Sequence, residues 1–394
     1  MTTMHAKEIS EIINESGEER NHYFNAITPP IFQTSNFAFD TVEDFRKALQ
    51  DESSTYLYSR GGNPTLDILQ KKLAALDNAE ACLVLNSGAG AVFVSVLANV
   101  KSGDHIVSVE KPYTWAQKMF DNVLPRFGVT TTYVDGRDTE NFRNAIQPNT
   151  TLIYLESPNS WTFYLQDLTA VAALAKENNI TTICDNSYCT GIYQRPLDMG
   201  IDISLQSATK YINGHSDVVA GVICGTKAMM DKIFFSEYLN LGIGTTPFNA
   251  WLILRGMRTL PVRLERITKT THEVVAFLKT RNEIESISFP FDEDFPQAAL
   301  ARKQMNGSCG LLSFVLKKTS LDAIERFCEG LQHILMAVSW GGHESLIIPG
   351  IASIKPSEYD PENIDQRRIR LYVGLEDAGY ITDDLKRGFE AMKR

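Results

Sequence analysis

The sequence predicts an α/β protein, with a mostly parallel sheet in a large domain and a smaller α+β C-terminal domain. Three observations carry this expectation. Strand-like apolar runs alternate with helix-period segments between residues 106 and 223, and parallel strands require such crossovers. Beyond about residue 250 the strand and helix patterns lose that alternation, as α+β packing does. A chain of 394 residues with 43% hydrophobic content is long enough for more than one core.

Composition removes several classes of function. A net charge of −10 without any Lys/Arg run argues against a nucleic-acid surface. The start, Met1-Thr-Thr-Met-His-Ala-Lys-Glu-Ile-Ser10, has no apolar core, and no later run approaches the length of a membrane span. These features imply a soluble, cytoplasmic protein without a membrane partner. Cys82, Cys184, Cys189, Cys224, Cys309 and Cys328 are scattered without C-x-x-C spacing, the pattern of buried free thiols. The seven histidines lack H-E-x-x-H or close pairing, so no metal site is expected. Gly214-His-Ser216-Asp-Val218 lacks the last glycine of a serine-hydrolase elbow.

Residues 1–60 show no clear globular pattern. A short polar helix fits within 8–19, but Ile27-Thr-Pro-Pro-Ile31 stops any period, because proline offers no donor and disfavours helix before it. A long irregular stretch is unusual inside a compact domain. Phe32, Phe37, Phe39 and Phe45 therefore mark an arm that gains order on another subunit, with simple disorder as the competing reading. Gly61-Gly-Asn-Pro64 is a turn by its chemistry, and Thr65 is placed to cap the helix outlined by Leu66, Leu69, Leu73 and Leu76.

The run Leu83-Val-Leu85 enters the small-residue turn Asn86-Ser-Gly-Ala-Gly90 and then an apolar helix over 92–100. The backbone N–H groups of Ser87, Gly88 and Ala89 would head that helix, where an anion is favoured. As a dinucleotide fingerprint the turn fails, since Phe93 stands where the third glycine belongs. Strands follow at 106–109, 130–134, 152–155, 181–184 and 203–206, with the strongest helix at 168–176. Ligands of such sheets bind beyond the carboxyl ends of the strands. Asp185 ends one apolar strand there, and a carboxylate at such a place is costly to bury without a cationic partner; a helix cap or a metal ligand is the alternative.

In the second half, 248–280 reads as one long helix kinked near Gly256 and Pro261, followed by a strand at 311–316 and an amphipathic helix at 324–335. The expected division is an arm over 1–60, a large domain over 61–250 and a C-terminal domain over 251–394.

Lys210 is the residue hardest to explain as surface decoration. It lies between the strand-like Ile201-Asp-Ile-Ser-Leu-Gln206 and Asp217-Val-Val-Ala-Gly-Val-Ile223, so partial burial would lower its pKa and leave neutral amine for imine formation. Ser207 and Thr209 place two hydroxyls beside it, suited to a phosphate. A solvated lysine in a turn is the plainer reading.

The stretch Ser207-Ala-Thr-Lys-Tyr-Ile-Asn-Gly-His-Ser-Asp217 resembles the pyridoxal 5′-phosphate (PLP) attachment segment of the transsulfuration enzymes. That family includes cystathionine β-lyase, cystathionine γ-synthase, cystathionine γ-lyase and methionine γ-lyase. The resemblance runs from about residue 27 to the end and implies PLP-dependent transferase fold type I. It implies that Lys210 carries PLP and moves the substrate's α-proton, and that Asp185 keeps the pyridine nitrogen protonated so that the ring withdraws electrons. Ser87, Gly88, Ala89, Ser207 and Thr209 would hold the phosphate, and Tyr113 would stack on the ring and serve in catalysis. Tyr58 and Arg60 match a Tyr-x-Arg that reaches a neighbouring subunit's phosphate, which implies a dimer with shared sites, within a homotetramer. Arg370, in Arg-Leu-Tyr-Val-Gly-Leu-Glu-Asp377, matches the residue that grips the substrate carboxylate. Ser339 and Trp340, in Ser-Trp-Gly-Gly, would line the substrate pocket with Tyr113.

Within the family, Ala89, Trp340 and Ser160 in Glu156-Ser-Pro-Asn-Ser160 lean towards bacterial cystathionine β-lyases, as does the stretch around Gly307 to Lys318. Thr114 after Tyr113 lacks the glycine of γ-acting members, whereas Tyr58-Ser-Arg-Gly-Gly-Asn-Pro-Thr65 is closer to them. The expected reaction is β-elimination of L-cystathionine to homocysteine, pyruvate and ammonia, a step of methionine biosynthesis. The alternatives are a γ-acting member, a broad cysteine C–S lyase and a PLP-binding relative without catalysis.

Overall fold

The computed structural model describes residues 6–393. Seven strands form the larger sheet: β1 Ala81–Leu85, β2 His105–Val109, β3 Thr130–Val134, β4 Thr150–Glu156, β5 Thr181–Asp185, β6 Ile203–Ser207 and β7 Gly221–Gly225. Their order is β1-β7-β6-β5-β4-β2-β3. Parallel pairing links β3, β2, β4, β5 and β6, and β7 runs against both β6 and β1. The sheet is the mostly parallel one that the alternation predicts.

Helices cover both faces, which is why these strands read as continuous apolar runs. Gly88–Leu97 buries Ala91, Val92, Val94 and Val96 with Ile106, Leu152, Leu205 and Ile223 on one face. On the other, Leu168–Glu177 buries Leu168, Val171 and Leu174 against Val107, Ile153 and Leu155. Successive residues of β2 and β4 thus enter opposite cores, as the period of a strand requires.

The second sheet comprises β8 Ile284–Ser288, β9 Leu311–Leu316, β10 Leu335–Met336, β11 Leu346–Pro349 and β12 Arg368–Tyr372, in the order β10-β11-β12-β9-β8. All its pairs are antiparallel except β10 with β11. Tyr211, the neighbour of Lys210, joins the two sheets. Its ring lies 5.2 Å from Trp340 and 5.9 Å from Tyr372, and its hydroxyl accepts from Gly310 N–H at 2.8 Å.

Several elements differ from expectation. The strand after Lys210 begins only at Gly221, because the Thr209 hydroxyl engages both the N–H and the carbonyl of Ala220. Asn63, not Thr65, caps the helix Pro64–Asp77, with Pro64 in its first turn; Thr65 Oγ1 instead accepts from Phe32 N–H and donates to the Pro30 carbonyl. The predicted kinked helix is two helices, Pro247–Met257 and Leu260–Lys279, the second carrying Pro261 in its first turn, where a missing N–H costs nothing. The first sixty residues carry helices Ala6–Asn14 and Val42–Gln50, and the first of these docks on its own chain through Lys72. Among the described residues no helix is long and apolar enough to cross a membrane.

Candidate active site

The carboxyl ends of β2, β4, β5 and β6 open into one cavity of about 630 Å³, which β12 and the turn before β11 close from the second sheet. This is where open α/β sheets place their ligands. Lys210, Asp185, Tyr113, Ser87, Gly88, Ala89, Ser207, Thr209, Ser339, Trp340 and Arg370 all line it. Tyr58 and Arg60 do not; they lie together on an exposed surface, the guanidinium 5.5 Å from the tyrosine ring.

Lys210 sits in the turn that leaves β6, its N–H donating to the Ser207 carbonyl at 3.1 Å. Its Nζ donates a hydrogen bond to Ser339 Oγ and lies 5.5 Å from the Trp340 ring centroid. Burial, and then the charge of Arg370, bring the amine down to about 8, although Asp185 pulls the other way. The turn carrying Ser339 presses against Lys210 because Gly341, at φ +91°, has no side chain: a Cβ there would stand 2.7 Å from Lys210 Cα.

Asp185 ends β5 and is buried, accepting from Ser187 N–H at 2.9 Å. Beside it in register, Glu156 ends β4. Glu156 accepts from Tyr113 N–H at 2.5 Å and from Ser160 N–H at 2.7 Å, and so holds two loops of the cavity wall. Burial raises both carboxyls, and the Asp185 charge raises Glu156 further. The Tyr113 phenol is raised as well, by burial and then by the charges of Asp185 and Glu156.

At the other end, Ser87 caps helix Gly88–Leu97, its Oγ accepting from Gly90 N–H at 3.0 Å. The N–H groups of Gly88 and Ala89 head the helix, where no intrahelical partner exists. A Cβ on Gly88 would meet the Ser207 side chain at 2.9 Å, so this cradle is open only because residue 88 is glycine. The Ser207 hydroxyl makes no hydrogen bond among the described residues. Thr209 differs: its hydroxyl proton is already given to the Ala220 carbonyl.

Arg370, on β12, is buried and makes no ion pair among the described residues. Its Nη1 donates to the Ser160 carbonyl at 3.3 Å, and its guanidinium lies 4.8 Å from the Trp161 ring centroid. Burial lowers its pKa to about 10. The cavity thus offers a desolvated amine, a buried acid pair, an anion cradle and an unpaired cation.

A family model described as Cys/Met metabolism PLP-dependent enzyme matches residues 10–390. The chain belongs to this family. Its cofactor is PLP and its fold is that of PLP-dependent fold type I. It is 41% identical to an L-methionine gamma-lyase of Treponema denticola over 96% of this chain and 95% of that one. It is 36% identical to the cystathionine gamma-lyase of Mus musculus over 88% of each. The solved structure of cystathionine gamma-lyase from Lactobacillus plantarum, complexed with L-serine, superimposes with a TM-score of 0.88 at 32% identity, covering 98% of this chain and 99% of that one. The chain is thus a PLP-dependent carbon–sulfur lyase acting on a small amino acid.

These relatives carry γ-lyase names, so the γ-acting alternative is better backed than the β-acting reading drawn from Ala89, Ser160 and Trp340. The reason is physical: those residues line the cavity, and a wall reports size and polarity, not which bond breaks. The residues present fit PLP. The open cradle of Gly88 and Ala89 with the free Ser207 hydroxyl suits a phosphate, and Asp185 suits a protonated ring nitrogen. Among the cavity-wall residues to which the sequence assigned no role, Glu156 and Trp161 matter most. Glu156 ends an apolar strand just as Asp185 does, and the same burial argument would have found it. Trp161 left no signal, since a lone indole in a loop has no period.

Proposed function

We propose that this protein is a γ-acting PLP-dependent lyase that takes L-methionine to methanethiol, 2-oxobutanoate and ammonia with uptake of one water. The observation that carries the choice is the 41% identity, over nearly the whole chain, to an L-methionine gamma-lyase. Trp115, Trp161, Val338 and Trp340 give the cavity a largely apolar wall, which suits an uncharged methylthio group.

The chain's own residues divide the work. Gly88, Ala89, Ser87 and Ser207 would hold the phosphate, and Thr209 would add its hydroxyl if it released the Ala220 carbonyl. Asp185 would pair with the ring nitrogen, and Tyr113, on the same cavity wall, would cover the ring. When bound, PLP supplies the electron-withdrawing ring that accepts the pair left at Cα. Arg370 takes the α-carboxylate, its buried and unpaired guanidinium being suited to a two-point grip. The Lys210 amine, near 8 and held by Ser339, is poised to take the Cα proton and to return one further along the chain. Tyr113, kept protonated by burial and two nearby carboxylates, donates to the departing sulfur.

A second reading, cystathionine as substrate, has one observation in its favour. Lys118 lines the mouth of the cavity and makes no ion pair among the described residues, so a second, distal carboxylate would find a cation there. Incubating the holoenzyme with L-methionine and with L-cystathionine and identifying the keto acid separates the cases. We expect 2-oxobutanoate from either; pyruvate from cystathionine would restore β-elimination, and no turnover would leave a PLP-binding relative.

Tyr58 and Arg60 we assign to a neighbouring subunit's phosphate, with residues 1–60 as the arm that carries them, 61–250 as the PLP-binding domain and 251–394 as the C-terminal domain. Phe24, Ile27, Phe45 and Leu49 lie exposed along that arm, as a surface covered by a second copy would. Mixing inactive Arg60→Ala and Lys210→Ala proteins should regenerate activity in hybrid dimers, and failure to do so would place both residues outside any shared site.

A further inference from the structure

Trp161 stands against Arg370 with more support than a chance contact has. Its backbone N–H donates to Asn159 Oδ1 at 3.0 Å, and its backbone carbonyl accepts from Ser313 Oγ at 3.1 Å. Ser313 lies on β9 directly opposite Arg370 of β12. The same strand pair that carries the arginine therefore clamps the backbone that carries the indole. Arg370 Nη1 is fixed in turn to the carbonyl of Ser160, the residue before Trp161.

The guanidinium, 4.8 Å from the indole centroid, has one face on an aromatic ring and one donor on a carbonyl. Its remaining donors make no hydrogen bond among the described residues. Arginine is a long side chain with much rotamer freedom, and a two-point grip on a carboxylate requires that freedom to be lost beforehand. An aromatic platform restrains the plane of the guanidinium without using any of its N–H groups. Both side chains line the same cavity.

We propose that Trp161 is a positioning residue for substrate binding: it holds the Arg370 guanidinium in the plane that receives the α-carboxylate, and so sets affinity for α-amino acids over simple amines. The inference rests on the assignment of Arg370 as the carboxylate-binding residue, and on nothing about which carbon–sulfur bond is cut.

The test uses two ligands without a leaving group and the PLP-loaded protein. L-Norleucine matches methionine in shape, and pentylamine is the same molecule without its carboxylate; their dissociation constants are measured by calorimetric titration. Wild type is expected to prefer norleucine, and a lack of preference would overturn the Arg370 assignment itself. In Trp161→Leu, which keeps bulk but not the aromatic face, norleucine binding should weaken roughly tenfold while pentylamine binding stays within about twofold. Trp161→Phe should restore norleucine affinity to within about threefold of wild type, and the visible band of lysine-bound PLP should be unchanged in both variants. Equal losses for the two ligands would make Trp161 a mere wall, and an unchanged norleucine affinity in Trp161→Leu would also overturn the proposal.

Discussion

Glu156 and Asp185 end adjacent parallel strands in register, so two buried carboxylates stand side by side at the floor of the cavity. Burial and the Asp185 charge push Glu156 from an ordinary 4.5 up to about 7, and burial raises Asp185 as well. A carboxyl whose pKa is higher in the folded state than in the unfolded one favours folding at low pH, and that contribution is lost as pH rises through the folded value. In PLP-free protein, Glu156→Gln should therefore gain thermal stability relative to wild type as pH rises between about 4.5 and 7. The same variant leaves one of the Tyr113 and Ser160 N–H groups without an acceptor, which lowers the variant's curve alone by a constant amount. Melting temperatures taken across that window decide the matter; parallel curves would exclude the pair as a source of pH dependence.

The Lys210 amine lies near 8 because burial, and next the charge of Arg370, lower it while Asp185 raises it. Only the neutral amine attacks an aldehyde, so PLP-free protein should capture added PLP faster as pH rises through about 8. Removing the arginine charge in Arg370→Gln should move the midpoint of that rate profile upward, and removing the acid in Asp185→Asn should move it downward. The growth of the visible absorbance band after mixing gives the rate at each pH. A profile centred near 10.5, the ordinary lysine value, would mean that Lys210 is solvated.

Much of this site was legible in the chain because one rule gathers it: residues that follow buried strands of a parallel sheet converge at its carboxyl edge. Asp185, Tyr113, Ser87, Gly88 and the Lys210 turn all obey that rule. What was not legible depends on contacts across sequence distance. The Nζ of Lys210 meets Ser339, 129 residues downstream, and Trp161 meets Arg370 through strands β9 and β12. The helix boundary at 258–259 was missed for a related reason. Proline in the first turn of a helix is favourable, whereas inside one it bends the axis, and periodicity alone does not separate the two. Tyr58 and Arg60 lie outside the single-chain cavity, so the rule that gathers the other residues does not reach them.

Gly341 tests whether the Ser339 turn positions Lys210. At φ +91° an alanine is strained wherever it stands, and here its Cβ would also fall 2.7 Å from Lys210 Cα. Gly103 has a similar φ of +93° but nothing within 4 Å, which makes it the control. Both alanine variants should lose about 1 kcal/mol or more of stability from backbone strain. Gly341→Ala alone should also lose PLP affinity, because the lysine backbone must shift. Equal PLP affinity in the two variants, measured by equilibrium dialysis, would remove the turn from the account of the site.

Lys72 holds the N-terminal helix to the rest of the chain. Its side chain is 2% exposed, and its Nζ lies 3.0 Å from the equally buried Glu18 carboxylate. It also donates to the carbonyls of Ile12 and Ile13 at 3.0 and 2.9 Å, the unpaired last-turn acceptors of helix Ala6–Asn14. Arg20 reaches the other oxygen of Glu18 at 2.9 Å. Lys72→Met would strip two carbonyls of their donor and leave Glu18 with one cation, at a cost of about 3 kcal/mol. Adding Glu18→Gln should return part of that loss, since the remaining carbonyls cost less than an underpaired buried charge. Denaturant titration of the single and double variants measures both steps, and limited proteolysis should cut the Lys72→Met protein first near residues 14–20. A double variant no more stable than the single one would mean that the carbonyl contacts, and not the ion pair, secure the helix.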